Sequence, residues 1–107
     1  MVNDEPRALR LLVMMPALNE AATLAAVIAR IPKSLDGIAE IRVLVVDDGS
    51  TDDTVSIARA AGARVISHGR NLGVGIALQT GLAEALRLGV DVAVNIDSDG
   101  QFAPEDI

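Results

Sequence analysis

Apolar residues form four short runs along the chain, and these runs alternate with three segments of helical periodicity. The runs predict strands over 9–15, 41–47, 64–67 and 91–97. Two stretches, 43–46 and 92–96, are almost uninterrupted, which is typical of strands buried on both faces of a sheet. We therefore expect the order β-α-β-α-β-α-β in an α/β fold, with a mostly parallel sheet, right-handed crossovers and helices on both faces.

Start and stop signals bound the first two helices. Asn19 can cap a helix over 20–31, which must end before Pro32. The segment 50–53, Ser-Thr-Asp-Asp, predicts a capped and acidic first turn for a second helix that ends at Gly62. Each of these helices therefore fits a crossover between two parallel strands.

The third helix carries the longest helical pattern of apolar residues. It is predicted to begin at Gly73 or Val74 and to end at Gly89. We expect it to bury one face, formed by Val74, Ala77, Leu78, Leu82, Ala85 and Leu86.

The composition narrows the class of protein. With 107 residues, 50% of them hydrophobic, the chain suits a single folded domain over 1–107 and is not disordered. It has no cysteine and one histidine, His68, which excludes disulfides, a thiol nucleophile and Cys- or His-rich metal sites. A net charge of -6 and a single aromatic residue argue against nucleic acid as a partner.

No segment predicts a membrane span. The longest apolar stretch, 11–18, is interrupted by Pro16 and is too short to cross a bilayer. The N-terminus, Met-Val-Asn-Asp-Glu-Pro, carries acids where a signal peptide carries bases. We expect a cytoplasmic location, or the cytosolic part of a larger protein.

Polar residues gather where the predicted strands end, and ligands of open parallel sheets bind beyond the carboxyl ends of the strands. Carboxylates on one rim repel each other unless a cation or a donor-rich ligand lies among them. In an extended segment, Asp97 and Asp99 point the same way, and oxygen ligands of this kind favour Mg²⁺ or Mn²⁺. The acidic residues expected on this rim are Glu20, Asp47, Asp48, Asp97 and Asp99.

Each motif also has a purely structural interpretation when it is taken alone. Asp-Asp-Gly-Ser at 47–50 is common as a turn and helix cap, and Asp-x-Asp occurs in solvated loops of acidic proteins. His68 alone is more often a polar loop residue than a catalyst. Arg70 is either a solvated charge or a phosphate contact.

Together and in this order, the motifs resemble the nucleotide-binding half of a family 2 glycosyltransferase, of the dolichol-phosphate mannosyltransferase-like group. The matching segments are 16–20 (Pro-Ala-Leu-Asn-Glu), 46–52 (Val-Asp-Asp-Gly-Ser-Thr-Asp), 71–77 (Asn-Leu-Gly-Val-Gly-Ile-Ala) and 97–101 (Asp-Ser-Asp-Gly-Gln). The resemblance covers nearly all of 10–107 and implies the three-layer, Rossmann-like GT-A fold, here ending after the fourth strand. Val74 is a departure, since many relatives have lysine between the two glycines.

The resemblance implies a nucleoside pocket lined by Pro16 and Glu20, with Glu20 near the ribose. Of Asp47 and Asp48, one carboxylate would accept a hydrogen bond from the base and the other would lie near the ribose. The resemblance does not assign the two roles to one or the other residue. The nucleotide-sugar site would also take in Ala17, Asn19 and Ser98.

The metal and donor-sugar contacts are likewise implied by the resemblance. Asp97 and Asp99 would form the metal motif, with Asp99 as the direct ligand and Asp97 nearer the sugar nucleotide. Gln101 matches a position beside the donor sugar. The segment after the third strand would lie near the donor through Arg70, Asn71 and Gly75.

For a full protein, the resemblance implies inverting, metal-dependent transfer of a sugar from a UDP- or GDP-linked donor. The acceptor would be a hydroxyl, for example of a glycan, or a polyprenyl phosphate, which would place the full protein at the cytosolic face of a membrane. In the family, the general base and the acceptor site lie well beyond the metal motif. We therefore expect both to lie beyond residue 107, and this chain to be a donor-binding half that is inactive alone.

Two other classes stay open. A receiver-type signalling domain has a similar length and an acidic Mg²⁺ pocket, but it needs a lysine near the end of a late strand, and the only lysine is Lys33. The other class is a non-catalytic nucleotide-binding or assembly module. An uncovered sheet edge and apolar face would favour self-association, so we expect a dimer or larger species in solution.

Overall fold

A computed structural model describes residues 8–99 of the protein, and its elements alternate in the predicted order. The third strand keeps its predicted bounds, and the third helix ends at Gly89, which has the left-handed conformation (φ 67°) expected of a terminating glycine. The elements are β1 (Leu9–Ala17), α1 (Leu24–Arg30), β2 (Ile38–Asp47), α2 (Thr54–Ala60), β3 (Arg64–Ser67), α3 (Val74–Leu88) and β4 (Val92–Asn95).

The four strands form a parallel sheet in the order β3-β2-β1-β4. In the register of the central strands, Val13 of β1 lies between Val43 of β2 and Val94 of β4. The run at 43–46 is buried from its second residue onward, as predicted. Burial of the run at 92–96 on both faces is a wrong prediction, since Val92 is 39% exposed. Within the described residues, β4 has a neighbouring strand on one side alone.

Helices cover both faces of the sheet, as predicted, because alternate residues of β1 point to opposite sides. Val13 and Met15 pack on one face with α1 and α2, through side chains that include Leu24, Val27 and Ala58. On the other face, α3 packs against the remaining inward-facing residues of the central strands. That second core consists of Leu12, Met14, Leu44, Val46, Ala77 and Ala85.

The face of α3 that meets the sheet is narrower than the apolar pattern predicted. Ala77 and Ala85 are buried as expected, together with Gly81 and Glu84. A Cβ atom at Gly81 would lie 3.0 Å from the sulfur of Met14, so small residues spaced by four let the helix lie close to β1. The larger apolar side chains lie outside this contact, and the prediction is wrong for Val74, Leu78, Leu82 and Leu86, which are exposed.

Glu84 is a buried acid on the inner side of α3. Its side chain is 6% exposed and accepts from Arg64 Nε on β3 at 2.8 Å and from Arg87 Nε on the next turn. The hydrogen bonds from Arg87 and Arg64 hold the pKa of Glu84 below its ordinary value of 4.5, against burial, which raises it. Because the folded-state pKa is the lower one, this stabilisation is complete above the ordinary value and is lost as the pH falls.

We expect Glu84→Gln to lower the free energy of unfolding at neutral pH by about 1–3 kcal/mol, since two charge-assisted hydrogen bonds are weakened. The deficit relative to the unmodified protein should shrink as the pH falls below about 4.5, where the wild-type carboxylate is itself protonated. Urea denaturation across this pH range measures both effects. Glu40→Gln is the control, because its pair with Arg42 is exposed and should contribute little. Equal losses in the two variants would contradict this role for Glu84.

Candidate functional site

A cavity of about 340 Å³ opens at the carboxyl ends of β1 and β2 and just beyond β4. This is the rim on which the sequence predicted a ligand. Its lining combines apolar side chains with polar groups from the loops that follow all four strands. The lining residues are Pro16, Ala17, Leu18, Glu20, Asp48, Asn71, Gly73, Val74, Ala77, Asp97, Ser98 and Asp99.

Most of the candidate residues contribute to this cavity. Leu18, Gly73, Val74 and Ala77 line it as well; they lie inside the same motif segments, and their position there was the available signal. Gln101 lies outside the described residues. Among the described candidates, those outside the cavity lining are Asn19, Asp47, Arg70 and Gly75.

Ser98 anchors the segment that carries the two rim carboxylates. It is 4% exposed, and its hydroxyl donates to the carbonyl oxygen of Pro16 at 2.9 Å. Its own carbonyl oxygen accepts from the hydroxyl of Thr23 at 2.9 Å. With Ser98 held inward in this way, Asp97 and Asp99 on either side of it are exposed and both line the cavity.

Asp48 lines the cavity from the end of β2 and holds the start of α3. Its Oδ1 accepts from the backbone N–H of Leu72 and its Oδ2 from that of Gly73, both at 2.9 Å. His68 Nδ1 lies 2.9 Å from Oδ1. Burial by itself raises the pKa of Asp48, but the bonds from His68, Leu72 and Gly73 outweigh it and hold that pKa below its ordinary value of 3.8. At neutral pH the group is therefore an ionised acceptor.

Asp47 has a different environment from its neighbour. It is 2% exposed, and its carboxylate accepts from Ser50 N at 3.2 Å and from the Ser67 hydroxyl at 2.8 Å. These bonds shape the turn after β2 and join it to β3. The expectation that five carboxylates converge on this rim is therefore wrong, because the Asp47 carboxylate is bonded within the turn and to β3 and does not line the cavity.

Asn19 joins the loops after β1 and β2. It adopts a left-handed conformation (φ 54°), and its Oδ1 accepts from Thr51 N at 2.8 Å and from Asp52 N at 3.3 Å. Its predicted role as the cap of a helix over 20–31 is wrong, because its side chain is committed to these bonds and α1 begins at Leu24.

Hydrogen bonds between the same two loops also move the start of the second helix toward the C-terminus. The Asp52 carboxylate accepts from the backbone N–H and hydroxyl of Thr54 and from Ala21 N at 3.2 Å, so α2 begins at Thr54. The Thr54 hydroxyl in turn accepts from Glu20 N at 3.0 Å. These contacts hold Glu20 at the cavity wall.

The rim offers a divalent cation a partial set of ligands. Within residues 8–99, no group of three or more His, Cys, Asp or Glu side chains is arranged to hold an ion. Asp97 and Asp99 instead supply two carboxylates to one cavity. This set fits Mg²⁺ or Mn²⁺, which commonly take one or two carboxylates and complete their shell with substrate phosphates and water.

Comparison with known proteins identifies the family of this chain. Residues 12–107 match the family model of glycosyl transferase family 2. The chain is 34% identical over 111 residues to UDP-N-acetylglucosamine–dolichyl-phosphate N-acetylglucosaminyltransferase of Methanococcus voltae, with 88% of this chain and 43% of the relative covered. It is 33% identical over 104 residues to polyprenol monophosphomannose synthase of Mycolicibacterium smegmatis, with 92% and 38% covered.

A solved structure agrees with these matches. A crystal structure of glucosyl-3-phosphoglycerate synthase from Mycobacterium tuberculosis, in complex with Mn²⁺, UDP and glucosyl-3-phosphoglycerate, aligns with a TM-score of 0.69 at 39% sequence identity. The alignment covers 84% of this chain and 33% of that chain. The chain therefore spans less than half the length of each of these relatives.

The parallel sheet and the position of its cavity define a Rossmann-like α/β nucleotide-sugar transferase fold, as expected. The chain belongs to glycosyl transferase family 2. This assignment overturns the receiver-type alternative. Between residues 8 and 99, no helix is both long and apolar enough to cross a membrane.

Proposed function

We propose that this chain binds a nucleoside-diphosphate sugar in the cavity and supplies the donor and metal site of a glycosyltransferase. The observation that carries the proposal is the joint lining of one cavity by the Asp97-Ser98-Asp99 segment, Asp48 and Glu20 at the strand ends. A hard cation held by Asp97 and Asp99 would let an acidic protein bind an anionic diphosphate. The UDP and Mn²⁺ held by the mycobacterial relative support this assignment.

Within this site, we assign the nucleoside to the loops after β1 and β2. Asp48 is the carboxylate that accepts from the base, because it lines the cavity and Asp47 does not. Glu20 lies near the ribose, and Pro16 and Ala17 form the apolar wall.

The diphosphate and sugar belong to the opposite end of the proposed site. Asp99 and Asp97 hold the cation, which when bound neutralises charge on the departing diphosphate. Ser98 positions both through its bond to the Pro16 carbonyl. Asn71 lines the cavity and is assigned to its donor side, and a place for Gln101 beside the donor sugar stays a prediction from the sequence.

Transfer inverts the anomeric carbon in this proposal, because an acceptor oxygen attacks from the face opposite the departing diphosphate. The relatives named above form or use phosphate-bearing compounds: dolichyl phosphate, a polyprenol monophosphomannose and glucosyl-3-phosphoglycerate. These names support a phosphorylated acceptor, and a polyprenyl phosphate would place the reaction at the cytosolic face of a membrane.

Calorimetric titration of UDP and of GDP, each with Mn²⁺ and again with EDTA, tests the proposal. We expect one of the two to bind in the presence of Mn²⁺ and to lose most of its affinity in EDTA. That result would also identify the base. Binding of neither nucleotide, or equal binding of both without metal, would contradict a donor site in this chain.

We also propose that the chain self-associates through α3 and the edge strand. Val74 and Leu86 of α3 are 72% and 84% exposed, and Val92 is 39% exposed on β4, which is an edge strand of the sheet within the described residues. Exposed apolar surface and a free strand edge favour association. Light scattering at micromolar concentration should show a dimer or larger species, and Leu86→Glu should shift it toward monomer more than Ala83→Glu does. A clean monomer of the unmodified chain would contradict this proposal.

A further inference from the structure

His68 lies behind the cavity wall and joins two elements that form it. It follows β3 directly, and its backbone N–H donates to the carbonyl oxygen of Asp47 at 2.9 Å. Its side chain is 8% exposed. Nδ1 lies 2.9 Å from Asp48 Oδ1, and Nε2 lies 2.8 Å from the hydroxyl oxygen of Thr80 on α3. The ring therefore connects a cavity carboxylate to the middle of a helix.

The chemistry of these partners assigns the protons of the ring. An ionised carboxylate only accepts hydrogen bonds, so Nδ1 must carry a hydrogen and donate to Asp48. In the neutral ring, Nε2 then accepts from the Thr80 hydroxyl. The hydroxyl can rotate to accept when the ring is protonated, so the contact with Asp48 persists in both states of His68.

These contacts leave Asp48 with little acceptor capacity to spare. A carboxylate has about four acceptor positions. Oδ1 accepts from His68 and from Leu72 N, and Oδ2 accepts from Gly73 N. The remaining position is on Oδ2, in a side chain that lines the cavity. Without His68, the two backbone N–H groups would still hold the carboxylate, but a second acceptor position, on Oδ1, would be open.

We propose that His68 is a positioning residue that fixes Asp48 so that one acceptor position meets the N–H of the nucleobase. This inference rests on the proposed function of the cavity. Uracil at N3 and guanine at N1 carry an N–H, whereas cytosine and adenine have a lone pair at the corresponding ring nitrogen. A single open acceptor position repels that lone pair, whereas a second open position on Oδ1 could accept from the neighbouring amino group. His68 therefore sets discrimination between bases.

Two amide substitutions separate the two contacts of the ring. The amide nitrogen of Asn lies close to the position of Nδ1 and can still donate to Asp48, while that of Gln reaches toward the position of Nε2 and Thr80. Calorimetry with Mn²⁺ would compare the diphosphate that binds the unmodified protein with its counterpart, UDP with CDP or GDP with ADP. We expect His68→Asn to keep most of the discrimination and His68→Gln to lose about tenfold, the scale of one hydrogen bond.

Thermal unfolding of both variants provides the readout of a merely structural role. Equal loss of stability in the two variants with unchanged discrimination would overturn the inference about His68 while leaving the proposed function intact. If the unmodified protein binds no nucleoside diphosphate, the proposed function fails and the inference fails with it. Thr80→Val gives an independent check, because it releases the ring from α3 and should weaken discrimination less than His68→Gln does.

Discussion

Replacement of Asp99 by alanine is expected to abolish Mn²⁺-dependent binding of the nucleoside diphosphate. The affinity measured with Mn²⁺ should fall by about 100-fold or more and approach the value measured in EDTA, because in the proposed site the cation loses its direct protein ligand. The fold should persist, since Asp99 is exposed on the rim and the segment is anchored by its neighbour Ser98. Calorimetry and circular dichroism of the same sample measure the two outcomes.

Asp36→Ala is the matched control for this experiment. It removes the same charge from an exposed residue in the loop before β2, at the opposite end of the strands from the cavity. Its binding should equal that of the unmodified protein within about twofold, because an exposed distant charge is screened. Undiminished Mn²⁺-dependent affinity in the Asp99 variant would overturn the metal assignment.

Replacement of Gly49 by alanine is expected to have the largest effect on stability. A Cβ atom at this position would lie 2.4 Å from the carbonyl carbon of Arg70 and 2.7 Å from the nitrogen of Asn71. Gly49 also has a φ of +92°, which is unfavourable for any other residue. Backbone clash and strain together should cost about 3–5 kcal/mol and push the cavity residue Asn71 outward.

Gly62→Ala separates the two causes. Gly62 has a similar φ of +89°, but a Cβ atom there would meet nothing within 4 Å. We therefore expect it to cost about 1–2 kcal/mol from strain alone and to leave nucleotide affinity unchanged. Urea denaturation of both variants gives the difference that belongs to the close approach of the two loops. Equal losses would show that this contact does not constrain the cavity wall.

Much of the fold followed from local patterns in the sequence. The order of elements and the position of α3 were predictable because apolar runs, glycines and Pro32 mark their limits. Burial was less predictable for β4, because its Val-rich run would have the same sequence pattern with or without a second neighbouring strand. The inner face of α3 was misjudged because close packing at Gly81 selects small residues, whereas periodicity favours large ones.

The site was predictable to the level of the loops that carry it. Strand ends and four motifs placed Asp48, Asp97 and Asp99 at one cavity. The sequence pattern does not show, however, which of the adjacent residues Asp47 and Asp48 lines that cavity. The bonds of Asp47 to Ser50 and Ser67 decide that, and they depend on the packing of β3 beside β2. His68 and Thr80 are twelve residues apart, and nothing in their spacing indicated that Thr80 contacts His68 and that His68 contacts Asp48.

Anomalous diffraction from crystals of this chain grown with Mn²⁺ and the nucleoside diphosphate that binds it tests the central claim most directly. We predict a manganese peak at coordination distance from the Asp99 carboxylate, with the diphosphate on the same ion and the base beside Asp48. A manganese peak remote from Asp97 and Asp99, or a nucleotide bound outside the cavity at the ends of β1, β2 and β4, would contradict the donor site proposed for this protein.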